Sequence, residues 1–315
     1  MQVNKVDLII LNYNGADILP LCLPSIVEAA KRSPVPCQVI ILDNKSKDKS
    51  IEYVRRNFPD VRIEIARENR VLFSYNELIP KLDSDIIILL NNDIKVDPDF
   101  IAPLLEYFKD KDIFGVAPRQ MHFDGKGYNG GLSRIEFRCG MISATQKPFP
   151  EGDARYSKAS FTLFNANGAF DRKKFLELGG FDDIFFPATW EDTDLCYRAW
   201  KKGWKMMYEP SSVIYHFEHY TMTRDEKNKD TLLKNKRAMN RRNMFVFTWK
   251  DISDPAILSV HFLLLPFNLL SATLYDRAKI RGFFEAVKVL PRIMKAKMDQ
   301  NRSAKVEDKE ILKLI

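Results

Sequence analysis

The stretch Asp85-Ile86-Ile87-Ile88-Leu89-Leu90-Asn91-Asn92-Asp93 decides how the rest of the chain is read. Five consecutive apolar residues, three of them β-branched, are too short and too unbroken for an amphipathic surface helix. They predict a strand buried on both faces, as in a parallel sheet. In an open α/β sheet, ligands sit beyond the carboxyl ends of the strands, so Asn91, Asn92 and Asp93 stand where a ligand is expected. The same residues also suit a plain strand-to-loop transition with Asp93 capping a turn.

Two similar runs lie upstream. Residues 6–11 and 38–42 are apolar and stop in Asn12-Tyr13-Asn14-Gly15 and Asp43-Asn44-Lys45-Ser46, and a shorter strand is predicted over 61–66. The helical spacing of Leu19, Cys22, Leu23, Ile26 and Ala30 predicts a helix over 18–30, followed by helices over 48–58 and 76–82. This alternation predicts an α/β domain with a Rossmann-like, mostly parallel sheet and flanking helices, with Asn12, Tyr13, Asp43 and Asp93 converging on one edge. Neither a Walker A loop nor G-x-G-x-x-G follows the first strand. A bound diphosphate would then depend on a metal or on basic side chains, and a carboxylate such as Asp93 beside it calls for a bridging divalent cation.

Downstream, a helix is expected over 98–108 and a strand over 113–118, then an irregular stretch over 119–160 rich in glycine. Residues 161–170 alternate apolar and small side chains around Asn165-Ala166-Asn167-Gly168, and a helix over 172–178 closes at Gly179-Gly180. In Phe186-Pro187-Ala188-Thr189-Trp190-Glu191-Asp192-Thr193-Asp194, three carboxylates fall in the first turn of a helix. They suit the helix macrodipole. With Phe186 and Trp190 they equally suit a sugar site, where rings cover C–H faces and a carboxylate takes a hydroxyl proton. A strand over 206–215 ends in His216, with His219 close behind, and either histidine reads as an ordinary packed residue or as a ligand.

The net charge of +7 is unevenly placed: residues 1–220 carry 29 Lys/Arg against 31 Asp/Glu, and residues 221–315 carry 20 against 11. The last third is therefore expected to meet an anionic surface. It includes 21 uncharged residues, 255–275, with basic residues on both sides, which fits a segment in the interface of an anionic leaflet. A helical subdomain packed on the sheet is the plainer reading. No nucleic-acid-binding motif accompanies the positive charge. Four scattered cysteines read as reduced thiols, and residues 6–11 are too short for a secretory h-region. The expected division is a catalytic domain over 1–225 and a basic, amphipathic, helical, membrane-associating region over 226–315.

The ordered set Asn12-Tyr13-Asn14-Gly15, Asp43 to Ser50, Glu68-Asn69-Arg70 with Asn76, Leu90 to Asp93, Gly179-Gly180-Phe181-Asp182 and Trp190 to Leu195 resembles glycosyltransferase family 2, the inverting GT-A-fold enzymes. Within it, the set is similar to the rhamnosyltransferase-type members of bacterial polysaccharide assembly. The resemblance implies that Asn12, Tyr13 and Asp43 hold the nucleoside, and that Asn69 and Asn76 line the nucleotide-sugar side. Asn91 and Asn92 border the donor, Asp93 and His216 ligate Mg²⁺ or Mn²⁺, and Asp192 is the base with Glu191 beside it. Trp190, Phe186 and Asn167 contact the substrate. The implied donor is a dTDP- or UDP-sugar and the implied acceptor a lipid-linked saccharide, reached from the cytoplasmic face of the cell membrane. Two departures stand out: Asn91 replaces the first Asp of the family's D-x-D, and Val71 replaces a Gly commonly found after the Asn-Arg pair. The alternatives are a sugar-phosphate nucleotidyltransferase and a non-catalytic carbohydrate-binding protein with a degenerate site. No feature of the sequence assigns an oligomeric state.

Overall fold

The first three predicted strands and the quoted stretch form one half of a central sheet. In the computed structural model, which describes residues 2–162, 166–217 and 229–314, β1 (Val6–Asn12) is followed by α1 (Leu19–Lys31), β2 (Cys37–Asp43), α2 (Ser50–Asn57) and β3 (Arg62–Ile65). A broken helical stretch containing α3 (Tyr75–Leu78) leads into β4 (Ile86–Asn91) and the short β5 (Ile94–Val96). Strands β3, β2, β1 and β4 lie side by side and parallel, and register pairs Asn12 with Asp43 and Leu11 with Asn91. Their polar ends therefore fall level on one edge.

Alternation along β1, β2 and β4 explains why they are mostly apolar. Leu8, Ile10, Ile41, Ile88 and Leu90 pack with Leu19, Leu23 and Ile26 of α1 in one core layer. Their neighbours Ile9, Leu11, Ile40, Leu42, Ile87 and Leu89 enter a second core on the opposite face. Nearly every residue of β1, β2 and β4 meets a covered face, whereas the edge strand β3 is half-exposed and carries Arg62 and Glu64.

The second half of the sheet is mixed. After α4 (Ile101–Glu106), β6 (Ile113–His122) runs four residues beyond the expected strand, and the stretch expected to be irregular contains β7 (Tyr128–Gly130) and a separate hairpin, β8 (Arg134–Arg138) and β9 (Met141–Thr145). Glycine and polar residues mark the turns of these short strands, and so they hide the strands from a periodicity argument. Following β10 (Ser160–Phe161), β11 (Gly168–Asp171) inserts antiparallel between β4 and β6 and leads into α5 (Arg172–Glu177). Helix α6 (Glu191–Lys201) precedes β12 (Lys205–His216), which lies parallel to β6. Asn165 and His219 lie outside the described residues.

The C-terminal chain is helical: α7 (Lys229–Asp251), α8 (Pro255–Tyr275), α9 (Arg277–Lys288), α10 (Leu290–Asn301) and α11 (Asp308–Leu314). Met244, Phe245, Phe247 and Trp249 of α7 share the second core with Leu195, Cys196 and Trp200 of α6. Lys250 is buried among Asp182, Asp194 and Asp251, and Arg198 pairs with Asp194 at 2.7 Å. Burying one such charge alone would be strongly unfavourable, so the cluster forces α7 onto α6 in one register. Asp308 closes the far end by accepting from Tyr197 Oη at 2.6 Å and pairing with Lys201 at 2.7 Å.

Candidate active site

The level strand ends form a hydrogen-bonded cluster. Asn12 is buried; its Nδ2 donates to Asp43 Oδ1 at 2.8 Å, and its Oδ1 accepts from Asn92 Nδ2 at 2.9 Å. Asp43 also accepts from the Ser46 N–H at 2.9 Å. Gly15 makes the arrangement possible: a Cβ there would stand 2.2 Å from Asn12 Oδ1 and 2.7 Å from Asn92 Nδ2. Tyr13 borders the cluster half-buried, and Asn44 ties it to the next loop by donating to the Val71 carbonyl at 3.1 Å.

That loop holds exposed Asn69, whose Oδ1 accepts from the Val71 N–H at 3.1 Å. Val71 has φ of 52°, the left-handed region that a β-branched residue occupies only at a cost. A glycine there would be free of that cost, which gives the departure at this position a physical meaning. Asn76 is used elsewhere: its amide both donates to and accepts from the backbone of Phe181, at 2.7 and 2.9 Å.

Pairing of β5 with β12 sets His216 opposite Ile94 and so brings it to Asp93, with His216 Nε2 3.3 Å from Asp93 Oδ1. Asp93 Oδ1 is buried and has no hydrogen bond among the described residues. An imidazole and an unsatisfied buried carboxylate oxygen side by side at this strand-end edge fit a divalent cation that takes the rest of its ligands from outside the protein. Among the described residues there is no group of three or more His, Cys, Asp or Glu side chains arranged for a metal. His216 Nδ1 lies 3.1 Å from Gln120 Nε2; Gln120 Oε1 accepts from Asn167, whose own Oδ1 accepts from the Asn91 N–H at 3.1 Å. This chain of amides ties His216 to the end of β4. The sequence carried no local signal for Gln120, because its partner is 96 residues away.

A cleft of about 560 Å³ opens beside this edge, lined by Asn91, Trp190, Glu191 and Asp192, by Ile142, Ser143 and Ala144 of the hairpin, and by Lys236, Asn240 and Arg241 of α7. Thr189 and Trp190 have φ of 73° and 71°, so the chain enters α6 through two left-handed residues. That conformation is held from α7: fully buried Asn243 donates to the carbonyls of Phe185, Ala188 and Thr189 at 3.0, 2.8 and 2.8 Å, and Asn240 accepts from Trp190 Nε1 at 2.6 Å. Strain persists only where surrounding structure enforces it, and it clusters at functional sites. Asn240 and Asn243 lie about one helical turn apart in the basic C-terminal region, whose composition carries no sign of this role. Phe186 lies apart from the cleft lining, edge-on to Phe73 and beneath the Arg70 guanidinium.

Burial and the neighbouring Asp192 charge push the Glu191 carboxyl up to about 8, whereas burial pushes Asp192 only to about 6 because the Thr193 N–H bonds to its carboxylate at 2.7 Å. At neutral pH the pair is therefore one acid and one base. Glu191 Oε2 has no hydrogen bond among the described residues. A carboxylate ionised at pH 7, next to a protonated one and an indole, is equipped to take a hydroxyl proton.

Residues 7–179 match the family described as Glycosyl transferase family 2. The chain belongs to this family. The matched span contains Asn12, Asp43 and Asn91 to Asp93 and stops before Glu191 and Asp192. The O-antigen chain rhamnosyltransferase RfbN of Salmonella typhimurium is 28% identical over 225 residues, covering 69% of this chain and 68% of that protein. Among solved structures, the mannosyltransferase PcManGT from Pyrobaculum calidifontis, in complex with GDP-Man and Mn²⁺, aligns over 95% of this chain and 85% of its own, with a TM-score of 0.54 and 17% identity. GalNAc-T7 with UDP, GalNAc and Mn²⁺ aligns over 68% of this chain with a TM-score of 0.54 and 20% identity, and this chain spans 43% of it. At these identities the likeness is one of fold, the GT-A arrangement of a mixed sheet with flanking helices.

Proposed function

We propose that the protein is an inverting glycosyltransferase that moves a sugar, rhamnose, from a dTDP- or UDP-linked donor to a lipid-linked saccharide in bacterial cell-surface polysaccharide synthesis. The observation that carries this reading is the shared cleft: Asp192, ionised near neutral pH, lines the same cavity as Asn91 at the end of β4. The choice of rhamnose and of a polysaccharide acceptor is supported by the similarity to a protein named as an O-antigen chain rhamnosyltransferase.

Asp192 removes the acceptor hydroxyl proton as that oxygen attacks the anomeric carbon. The glycosyl–phosphate bond breaks on the opposite face, and its electron pair leaves with the nucleoside diphosphate, which inverts the anomeric centre. Trp190 offers an apolar face to the acceptor ring, and Glu191, protonated, adds no second negative charge beside the base. Asn12, Tyr13, Asp43, Asn69 and Asn92 are assigned to the nucleotide sugar and Asn167 to the substrate side, whereas Asn76, bonded through both ends of its amide to the Phe181 backbone, and Phe186, packed on Phe73 away from the cleft, are assigned to shaping the site. Asp93 and His216 would hold Mg²⁺ or Mn²⁺, which when bound supplies Lewis-acid neutralisation of the leaving diphosphate. Residues 1–225 are assigned to catalysis and 226–315 to attachment at the cytoplasmic face of an anionic membrane, with α7 in addition supplying one wall of the cleft.

The test is nucleoside diphosphate release across a panel of nucleotide sugars, with and without Mn²⁺ or Mg²⁺ and with a saccharide acceptor. Metal-stimulated release from one donor is expected. Pyrophosphate release from a nucleoside triphosphate and a sugar phosphate would replace this reading with nucleotidyl transfer, and binding without turnover would replace it with a carbohydrate-binding role.

A further inference from the structure

We infer that the outer stripe of α8, together with the basic outer side of α9, docks flat on an anionic lipid bilayer and is fastened to both walls of the cleft, so that the cleft mouth is held at the bilayer surface. This rests on, and deepens, the reading of the chain as a membrane-attached glycosyltransferase.

Helix α8 contains no charged residue over its 21 positions. Leu263, Phe267, Leu270 and Leu274, at spacings of four, three and four, form one stripe and are 70%, 68%, 69% and 77% exposed. The opposite stripe, with Ile257, His261 and Ala272, is buried against the protein. A helix that is apolar all round yet covered on one side only presents a face suited to a nonaqueous partner. On α9, Arg277, Arg281 and Lys288 share an exposed side with Phe284, again at spacings of four, three and four. Two such faces from two copies of the chain would set like charges against each other, whereas anionic headgroups complement them.

The inner stripe determines the orientation. His261 is fully buried; its Nδ1 lies 2.6 Å from the Gly140 carbonyl, and its Nε2 accepts from Trp249 Nε1 at 3.0 Å. Burial lowers the His261 pKa, so it stays neutral and can serve as donor to one partner and acceptor from the other. About two turns further on, Asn268 donates to the Cys139 carbonyl at 2.9 Å. Gly140 is where the hairpin and helix touch: a Cβ there would stand 2.9 Å from Leu264 Cβ. A helix hydrogen-bonded through its middle to a polar hairpin lies along a bilayer and does not cross it.

The same fastenings reach the cleft. Ile142, Ser143 and Ala144, just beyond the hairpin tip, form one wall. Arg241, in the α7 wall, pairs at 2.7 Å with Asp276, the residue that ends α8. Both walls thus hang from the docking helix, a geometry suited to an acceptor whose lipid anchor stays in the membrane.

The test uses the full chain in flotation with vesicles of phosphatidylglycerol and phosphatidylcholine, and a Leu263→Glu/Leu270→Glu variant whose changes lie on the exposed stripe. The wild type is expected to float, and the variant to lose at least ten-fold in vesicle affinity while releasing nucleoside diphosphate in solution at the wild-type rate. Flotation of the variant like the wild type overturns the inference. So does a wild type that stays with the soluble fraction, whether as a monomer or as a dimer that the variant dissociates. If the protein floats through this face but releases no nucleoside diphosphate from any donor, docking stands and the catalytic reading fails.

Discussion

Replacing Glu191 by glutamine separates the cost of its charge from the rest of the site. In the folded protein its carboxyl is pushed from 4.5 up to about 8, first by burial and then by the Asp192 charge. The folded state therefore holds a proton that the unfolded chain has already released, and stability falls as pH rises through this window. Each factor of ten in proton affinity is worth about 1.4 kcal/mol, so between pH 6 and pH 8 Glu191 alone should remove about 2 kcal/mol of stability. Asp192, at about 6, contributes most of its own effect below that range. Glu191→Gln keeps the shape and abolishes the titration. Urea unfolding at pH 6 and pH 8 should show the wild type losing about 2 kcal/mol more than the variant. Equal losses in the two proteins would refute the assignment of Glu191 as a buried, protonated neighbour of the base.

Three further substitutions probe the strand-end edge. Val71→Gly exchanges a left-handed valine, costing about 1–2 kcal/mol, for the added chain entropy of glycine, about 0.5–1 kcal/mol, so urea unfolding should show it unchanged or more stable. A clear loss of stability would contradict the strain. Gly15→Ala forces a methyl group into the Asn12–Asn92 contact; a thermal melt should report a loss of about 1–3 kcal/mol, with weaker nucleotide binding in titration. Wild-type behaviour in both would remove Gly15 from this role. Asn91→Asp adds a carboxylate near Asp93, and calorimetric titration of Mn²⁺ with UDP or dTDP present should show tighter binding; an unchanged or weaker Kd counts against a metal at Asp93 and His216.

The parallel half of the fold was readable because β1, β2 and β4 are buried on both faces and leave unbroken apolar runs that stop in Asn or Asp. Their polar ends were placed correctly on one edge because a parallel sheet forces that alignment. The hairpin β8–β9 was missed because its alternating, half-exposed residues sit among glycines and its partner surface is α8, more than a hundred residues later. The long-range groups were missed for the same reason. Gln120, Asn243 and Lys250 act through partners that only the closed fold brings near. The basic C-terminal third concealed two roles in one composition. Arg281 and Lys288 point to solvent, whereas Asn243 and Lys250 are buried against the loop and helix that carry Trp190, Glu191 and Asp192.

The central claim is that Asp192 is the base at a nucleotide-sugar site, and Asp192→Asn tests it most directly. Turnover measured as nucleoside diphosphate release in the presence of acceptor should fall by at least a hundred-fold, the range expected when general base catalysis is removed. Calorimetric titration of the same variant with the nucleoside diphosphate should give a Kd close to that of the wild type, because Asn12, Asp43 and Asn92 remain untouched. An Asp192→Asn enzyme that turns over at a near-normal rate would contradict the account.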